Sequence, residues 1–364
     1  MYKDLIKIMN LFRGFHTSRK LLIIEVDDFG TSQYTDVDAL ESIKNSRNKL
    51  PYFYQHDRLE SYSDLSKLFE VLSSVKDKNG KHAVFTPLTV MSNPNKDKIL
   101  ESGIYQYEVF SDTIKRIHGL ETWNLWLQGV NMGIFVPEFH GREHLNTDLW
   151  MKKIFVDNHL MSDLFQKGIF VYQIEDGSSV PPYTFFDENE RLNKVNAIES
   201  GLKIFKDTFG REAMSYTPPA GGYAYSQELT LSKNGVKAVQ LSYQQKIIND
   251  DNFKVESKMH YYGERSRYSS IIYTPRNAVF EPHSDMWKDC VSHCLAKIDL
   301  AFKLRKPAIV SSHRVNFIEN ELSNKINGLE KLATLLKQIV KRWPDVEFLS
   351  SADLITEVKS KQNS

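Results

Sequence analysis

Asp27 and Asp28 stand side by side where a short apolar run, Leu21 to Ile24 with Val26, gives way to Phe29 and the turn glycine Gly30. Adjacent carboxylates at the end of a buried strand repel each other unless something compensates. A cation on one of them would also hold the other ionised. Asp and Gly after a strand are ordinary turn chemistry as well, so the pair needs partners. The stretch PEFHGREHLN offers them: His140 and His144 stand four apart, and on a helical turn both imidazoles would face one ion. Asp28, His140 and His144 would then make a two-histidine, one-carboxylate set with positions left for water and substrate. Such a set suits Zn²⁺, and equally Fe²⁺, Co²⁺ or Ni²⁺.

These residues can meet only if the chain brings them together, and its patterning says how. Short apolar runs alternate with amphipathic ones along the whole sequence. Strands are expected at Leu21–Val26, His82–Val90, Gly133–Phe139, Ile169–Ile174, Ala213–Tyr216, Val236–Leu241, Ser270–Tyr273, Ala308–Ser311 and Val346–Leu349. Helices are expected between them, at Asp36–Ser46, Tyr62–Lys76, Tyr107–His118, Asp148–His159, Glu188–Phe209, Ser226–Asn234, Asp285–Leu304 and Leu322–Trp343. Alternation of this kind implies parallel strands with crossover helices, because parallel neighbours cannot be joined by a tight hairpin. The expected fold is an α/β barrel of about seven parallel strands. It forms a single domain over residues 21–364, after an N-terminal extension 1–20 and with a polar, tyrosine-rich rim insertion near 249–267.

Barrel active sites lie at the carboxyl ends of the strands. That rule gathers scattered residues into one place. Asp27 and Asp28 end the first strand, and His140 and His144 follow GIFVPEF. Thr217 to Gly222, TPPAGG, follow Ala213–Tyr216; Arg276 and Asn277 follow SIIYTP; His313 and Arg314 follow AIVSS.

Bulk properties narrow the class. Lys and Arg number 47 against 46 Asp and Glu, a balance that argues against a nucleic-acid binder. No window approaches the roughly 18 apolar residues of a membrane span, and the N-terminus lacks a signal-peptide core. A cytoplasmic location is the expectation. The two cysteines, Cys290 and Cys294, share one face of an expected helix and read as small core residues rather than a disulfide or a zinc site.

VDDFG, HGREH, TPPAGG and SSH, in this order, resemble the motifs of the polysaccharide deacetylase family, over most of the chain from Leu21 to Arg314. The resemblance implies a deformed (β/α) barrel and metal-dependent removal of N- or O-acetyl groups from sugars. It makes Asp27 the general base, Asp28, His140 and His144 the metal ligands, and His313 the general acid. It implies a divalent ion, zinc before nickel, cobalt or iron, and an acetylated saccharide or sugar conjugate as substrate. With no export signal, an intracellular precursor is the expected form of that substrate. The oligomeric state stays open.

Departures from the family pattern matter too. Thr217 stands where the family carries an arginine that holds the base; Arg142, Arg276 or Arg314 could replace it, Arg276 first. Gly141 replaces the usual Ser or Thr. The acid that tunes the catalytic histidine has no clear equivalent, Asp176 and Asp285 being weak candidates. Arg142, Thr217, Pro219, Arg276, Asn277 and Arg314 are the expected substrate contacts, with Glu281 and His283 on the same loop as Arg276. Trp123, Trp126 and Tyr223 could stack on a sugar. The rival readings are a barrel that binds carbohydrate without turnover, and a metal-dependent hydrolase of another C–N or ester bond.

Overall fold

The computed structural model describes residues 12–42, 56–157, 159–170, 180–284, 289–319 and 327–363. Its main sheet is built on β1 (Lys20–Phe29), whose apolar residues are buried on both faces, as a central parallel strand requires. Each fully buried Leu, Ile or Val there contributes about 2 kcal/mol of apolar burial. In chain order, β2 (Phe85–Thr89), β3 (Glu138–Phe139), β4 (Ser215–Tyr216), β5 (Ala238–Leu241), β6 (Ile272–Pro275), β7 (Ala278–Val279), β8 (Ala308–His313) and β9 (Val346–Phe348) follow. Neighbours run β6–β5–β4–β3–β2–β1–β8–β7, with β9 beside the first residues of β1, and every one of these pairings is parallel. Glu264–Arg265 adds one antiparallel strand at the outer edge of β6.

The strand order begins and ends in one segment, residues 272–279. Its first half pairs with β5 and its second with β8, while the Arg276 and Asn277 amides between them reach Leu241 O and Ile309 O at 2.8 and 3.2 Å. The expected deformed barrel of parallel strands therefore forms. Of its parallel strands only β7, two residues long, was not among those expected, and β3 and β4 keep just two residues each of the longer strands expected there.

The helix expected at Glu188–Phe209 forms over those residues, capped by Asp187 and ended by Gly210 at φ +68°. Gly201 lets it approach the sheet: a Cβ there would stand 2.9 Å from both Phe139 and Arg142. Cys290 and Cys294 are buried on the helix Cys290–Lys303.

Other elements differ from expectation for local reasons. Tyr107–Val109 pairs as a strand with Ser92–Pro94, so that helix starts only at Phe110. A separate helix, Leu120–Asn131, follows Gly119, which sits at φ +87° with no side-chain cap to announce it. Ile169 makes an isolated bridge to Tyr34, and the rest of the strand expected at Ile169–Ile174, from 171 on, lies outside the described residues. The rim insertion is not a plain loop. Gln244–Ile248 and Val255–Met259 form an antiparallel hairpin, and its first strand lies parallel to Gly222–Ala224, which starts at the last residue of TPPAGG. Within the expected N-terminal extension, Phe15 is buried and its amide bonds to Tyr262 O at 2.8 Å.

Candidate active site

β1 keeps register with β8 up to the pair Asp27–His313, but slips against β2 between Val26 and Phe29. Three steps along β1 match two along β2, so one residue bulges out. Asp28 takes φ +76°, left-handed for a residue with a Cβ, at a cost of roughly 1–3 kcal/mol. In a regular strand adjacent side chains point to opposite faces. The bulge breaks that alternation and lets both carboxylates serve one site: Asp28 Oδ1 lies 3.1 Å from His144 Nε2 and 3.5 Å from His140 Nε2, while Asp27 Oδ2 lies 3.8 Å from His313 Nε2.

One ligand atom from each of Asp28, His140 and His144 falls within 4.8 Å of the others. The His140 Nδ1–H donates to Thr217 O at 2.8 Å, which fixes the tautomer and leaves Nε2 free to ligate. The two histidines do not share a helical turn, contrary to expectation. They are brought together by an irregular loop after β3 in which Gly141 takes φ +98°. A Cβ at that position would come within 2.7 Å of the Tyr183 hydroxyl, so with its left-handed φ the position calls for glycine. Burial opposes the charge on Asp28, but His144 and His140 override it and hold the carboxyl well below its ordinary range. Among the described residues no lysine or arginine pairs with Asp28, whereas Asp27, Asp57, Glu60 and Glu25 each have an arginine. The donor set and this missing counter-charge both fit a divalent transition-metal ion.

Arg276 reaches the site from the seam between β6 and β7. It grips Asp27 through both terminal nitrogens at 2.9 and 2.7 Å, donates its Nε–H to Glu25 at 2.8 Å, and reaches the Thr217 hydroxyl at 3.2 Å. Thr217 in turn donates to Gln240, which donates to Glu25, closing a buried ring of hydrogen bonds. Burial pushes the Asp27 carboxyl up, but the guanidinium more than compensates and it ends below the ordinary value. For Glu25, fully buried, desolvation wins and the carboxyl is raised. Glu25 was not singled out in the sequence, where it reads as a polar interruption of an apolar strand.

His313 ends β8 and donates its Nδ1–H to Glu281 Oε1 at 2.7 Å, which turns Nε2 toward Asp27. Asn316 braces the other Glu281 oxygen at 2.7 Å, and His283 lies 3.2 Å from it. Glu281 is the acid that orients this histidine. The weak candidates Asp176 and Asp285 lie outside the described residues. The strand-end rule could have found Glu281, because it follows β7. Burial alone would lower the His313 pKa, but the Glu281 carboxylate, with Asp27 and Asp28 beyond it, lifts it from 6.5 to about 10. A raised pKa means that the protonated pair stabilises the fold fully below about pH 6.5 and loses that contribution as the pH climbs through about 10. In the metal-free protein, Glu281→Gln is expected to bring the His313 imidazole titration, followed by NMR, down toward its ordinary value. An unchanged midpoint would show that Glu281 does not hold the ring.

Three of the expected substrate contacts also hold structure around the site. The Arg314 guanidinium is wholly buried and taken up by Asp57 and Glu60, each at 2.7 Å, and by Thr31 O at 2.9 Å, so no substrate can reach it. The Asn277 side chain ties Pro307 O to the Ile309 amide, both at 2.8 Å, holding the start of β8. Arg142 is engaged by Glu143 and by Ser200 and lies over the Tyr107 ring. Trp123 and Trp126 stack inside the core, and Tyr223 is buried with its hydroxyl on Glu228 at 3.1 Å, so none of them offers a platform for a sugar. Thr217 sits between Arg276 and His140. Pro219 opens a single 3₁₀ turn in which Ala220 takes φ +52°.

No family model and no curated protein matches the sequence. Among solved structures, the chain is similar to a probable polysaccharide deacetylase of Pseudomonas aeruginosa at 9% identity, covering 93% of this chain and 91% of that one, with a TM-score of 0.48. It is similar to an allantoinase at 10% identity, covering 94% and 93%, with a TM-score of 0.45. A peptidoglycan deacetylase of Bacillus subtilis matches at 10% identity, covering 95% and 94%, with a TM-score of 0.33. No helix among the described residues is long and apolar enough to cross a membrane.

Proposed function

We propose that this chain is a metal-dependent hydrolase that removes an acetyl group, N- or O-linked, from a saccharide or sugar conjugate. One observation carries the reading: two oppositely tuned groups flank one ligand set. Arg276 grips Asp27 and holds it ionised, Glu281 holds His313 oriented and protonated with its Nε2 3.8 Å from Asp27, and the next residue, Asp28, belongs to the set with His140 and His144. Separating the pKa values of an acid and a base in one site is how acid–base roles are assigned at neutral pH.

Hydrolysis of an amide or ester needs an activated water, a polarised carbonyl and a proton for the departing amine or alkoxide. Asp28, His140 and His144 would hold a divalent ion, zinc first and nickel, cobalt or iron as alternatives. When bound, that ion supplies Lewis acidity that acidifies a water and stabilises an oxyanion. Asp27, adjacent in sequence to the ligand Asp28, takes the proton of the attacking water. Arg276 fixes both Asp27 oxygens, so the base cannot swing away from the site. His313 presents its Nε2–H and gives that proton to the leaving group, while Glu281 keeps the ring oriented. The arginine missing at Thr217 is replaced in this scheme by Arg276, and the small Thr217 side chain leaves room for it. Thr217, Pro219 and Arg276 stay the candidates for substrate contact.

The test is acetate release. Zinc-, cobalt- and nickel-loaded protein is incubated with oligomers of N-acetylglucosamine and with O-acetylated xylose oligomers, and free acetate is measured. Release from at least one class is expected. Metal-loaded protein that frees no acetate from either class would overturn the assignment.

A further inference from the structure

We infer that Glu60, Arg314 and Asn93 are positioning residues for the Asp28 carboxylate, clamping the turn after it so that the ligand is pre-set before any metal arrives. The inference rests on the reading of Asp28 as a metal ligand and deepens it.

A residue with a Cβ holds φ +76° only where its surroundings leave it no alternative. The bond from the Thr31 amide to Asp28 O, at 3.4 Å, is long and cannot enforce that conformation alone. What enforces it comes from distant parts of the chain. The Gly30 amide donates to both Glu60 oxygens at 3.2 and 3.4 Å, and Gly30 O accepts from Asn93 Nδ2 at 3.0 Å. Arg314 donates to Thr31 O at 2.9 Å, and the Ser32 amide donates to Asn93 Oδ1 at 2.6 Å. Val90 donates to Phe29 O at 2.9 Å. Every residue from Phe29 to Ser32 thus has a backbone group bound from outside the turn. Gly30 is needed inside the clamp, since a Cβ there would meet Val90 O at 2.6 Å.

Glu60, Arg314 and Asn93 are all buried, at 0, 0 and 2% exposure. Glu60 also takes the Trp126 indole N–H at 3.0 Å, and Arg314 is completed by Asp57. Buried ion clusters are poor stabilisers compared with apolar packing of the same volume. This one directs its donors and acceptors at a single turn, the one that carries a candidate ligand. Arg314 also follows His313 directly, so the same cluster joins the ligand turn to the strand that presents the proposed acid. None of the three clamp residues is a member of the ligand set. Their hydrogen bonds go to the backbone of the turn after Asp28, and Arg314 also feels the Asp28 charge through space, so Asn93→Ala, which changes no charge, isolates the positioning effect.

The experiment compares zinc affinity, by competition with a chromophoric chelator, in the full-length wild type, Asn93→Ala and Glu60→Gln. Removing outer partners of a metal ligand lowers affinity about 10–100-fold, and that loss is expected in both variants. Thermal unfolding of the metal-free proteins is measured alongside, because a purely structural role would shift unfolding and leave affinity alone. Wild-type affinity in a folded Asn93→Ala or Glu60→Gln overturns the inference while leaving the metal reading intact. A wild type that takes no zinc overturns both. Hydrogen exchange in the metal-free wild type decides the matter without any variant. The Gly30 and Ser32 amides are expected to be as protected as the core of β1 whether or not zinc is added. Protection that appears only with zinc would show that the metal, and not the clamp, orders the turn.

Discussion

Asp27→Asn is expected to reduce kcat for acetate release by a factor of roughly 10²–10⁴, the usual worth of a positioned general base. Asp27 is not part of the ligand set, so metal content should stay at the wild-type level. KM should move little, because the group acts on water and not on the ground-state substrate. The change is close to isosteric, but the asparagine amide would face the donors of Arg276 with one N–H₂ group, so folding is followed by circular dichroism. Steady-state kinetics with metal analysis on the same sample read the result. Undiminished turnover in a metal-replete Asp27→Asn protein would remove Asp27 from the mechanism and leave the metal site without its base.

Arg276→Leu has the second large effect, this time on stability. Arg276 is the common partner of Glu25, fully buried, and of Asp27, nearly so. Removing one partner of a buried ion cluster leaves uncompensated charge and costs about 3–5 kcal/mol. For a chain of 364 residues the thermal midpoint should fall by about 4–7 °C. Arg276→Lys keeps a positive charge but cannot make the two-pronged contact to Asp27 together with the bond to Glu25. It is expected to stay folded and to lose turnover, because Asp27 is then free to rotate. If Arg276→Leu melts with the wild type, the buried ring around Glu25 does not hold the site together.

Much of the site was legible because barrel geometry turns a linear list into a place. Asp27, Asp28, His140, His144, Thr217, Arg276 and His313 each follow an apolar strand in the sequence, and the parallel sheet brings those strand ends together. What escaped notice depends on contacts between segments far apart. Glu25 reads as a mere interruption of an apolar run until Arg276, 251 residues away, pairs with it. Arg314 looked like a substrate contact because it follows His313. Its side chain instead turns inward to Asp57 and Glu60, residues of a stretch with no motif of its own. Asn277 shows a second use of a strand end, since its side chain ties the next strand in place.

Local spacing misled in two places. The i, i+4 histidines suggested a helical turn, but Gly141 at φ +98° makes the loop irregular and brings the rings together by another route. The rim insertion looked like a loop because its strands are short and rich in polar residues, and only pairing with Gly222–Ala224 shows it as a hairpin. The Glu188–Phe209 helix, by contrast, was fully legible, with an Asp before it, a Gly after it and apolar residues at helical spacing between.

The most direct test of the account is metal stoichiometry. Protein purified without chelator is dialysed against zinc and analysed by elemental methods beside the Asp28→Ala, His140→Ala double variant. About one ion per wild-type chain and close to none in a folded double variant is the predicted result, as expected for a single set built from Asp28, His140 and His144. A wild type that takes up no zinc, nickel or cobalt, or a double variant that binds as much as the wild type, would contradict it.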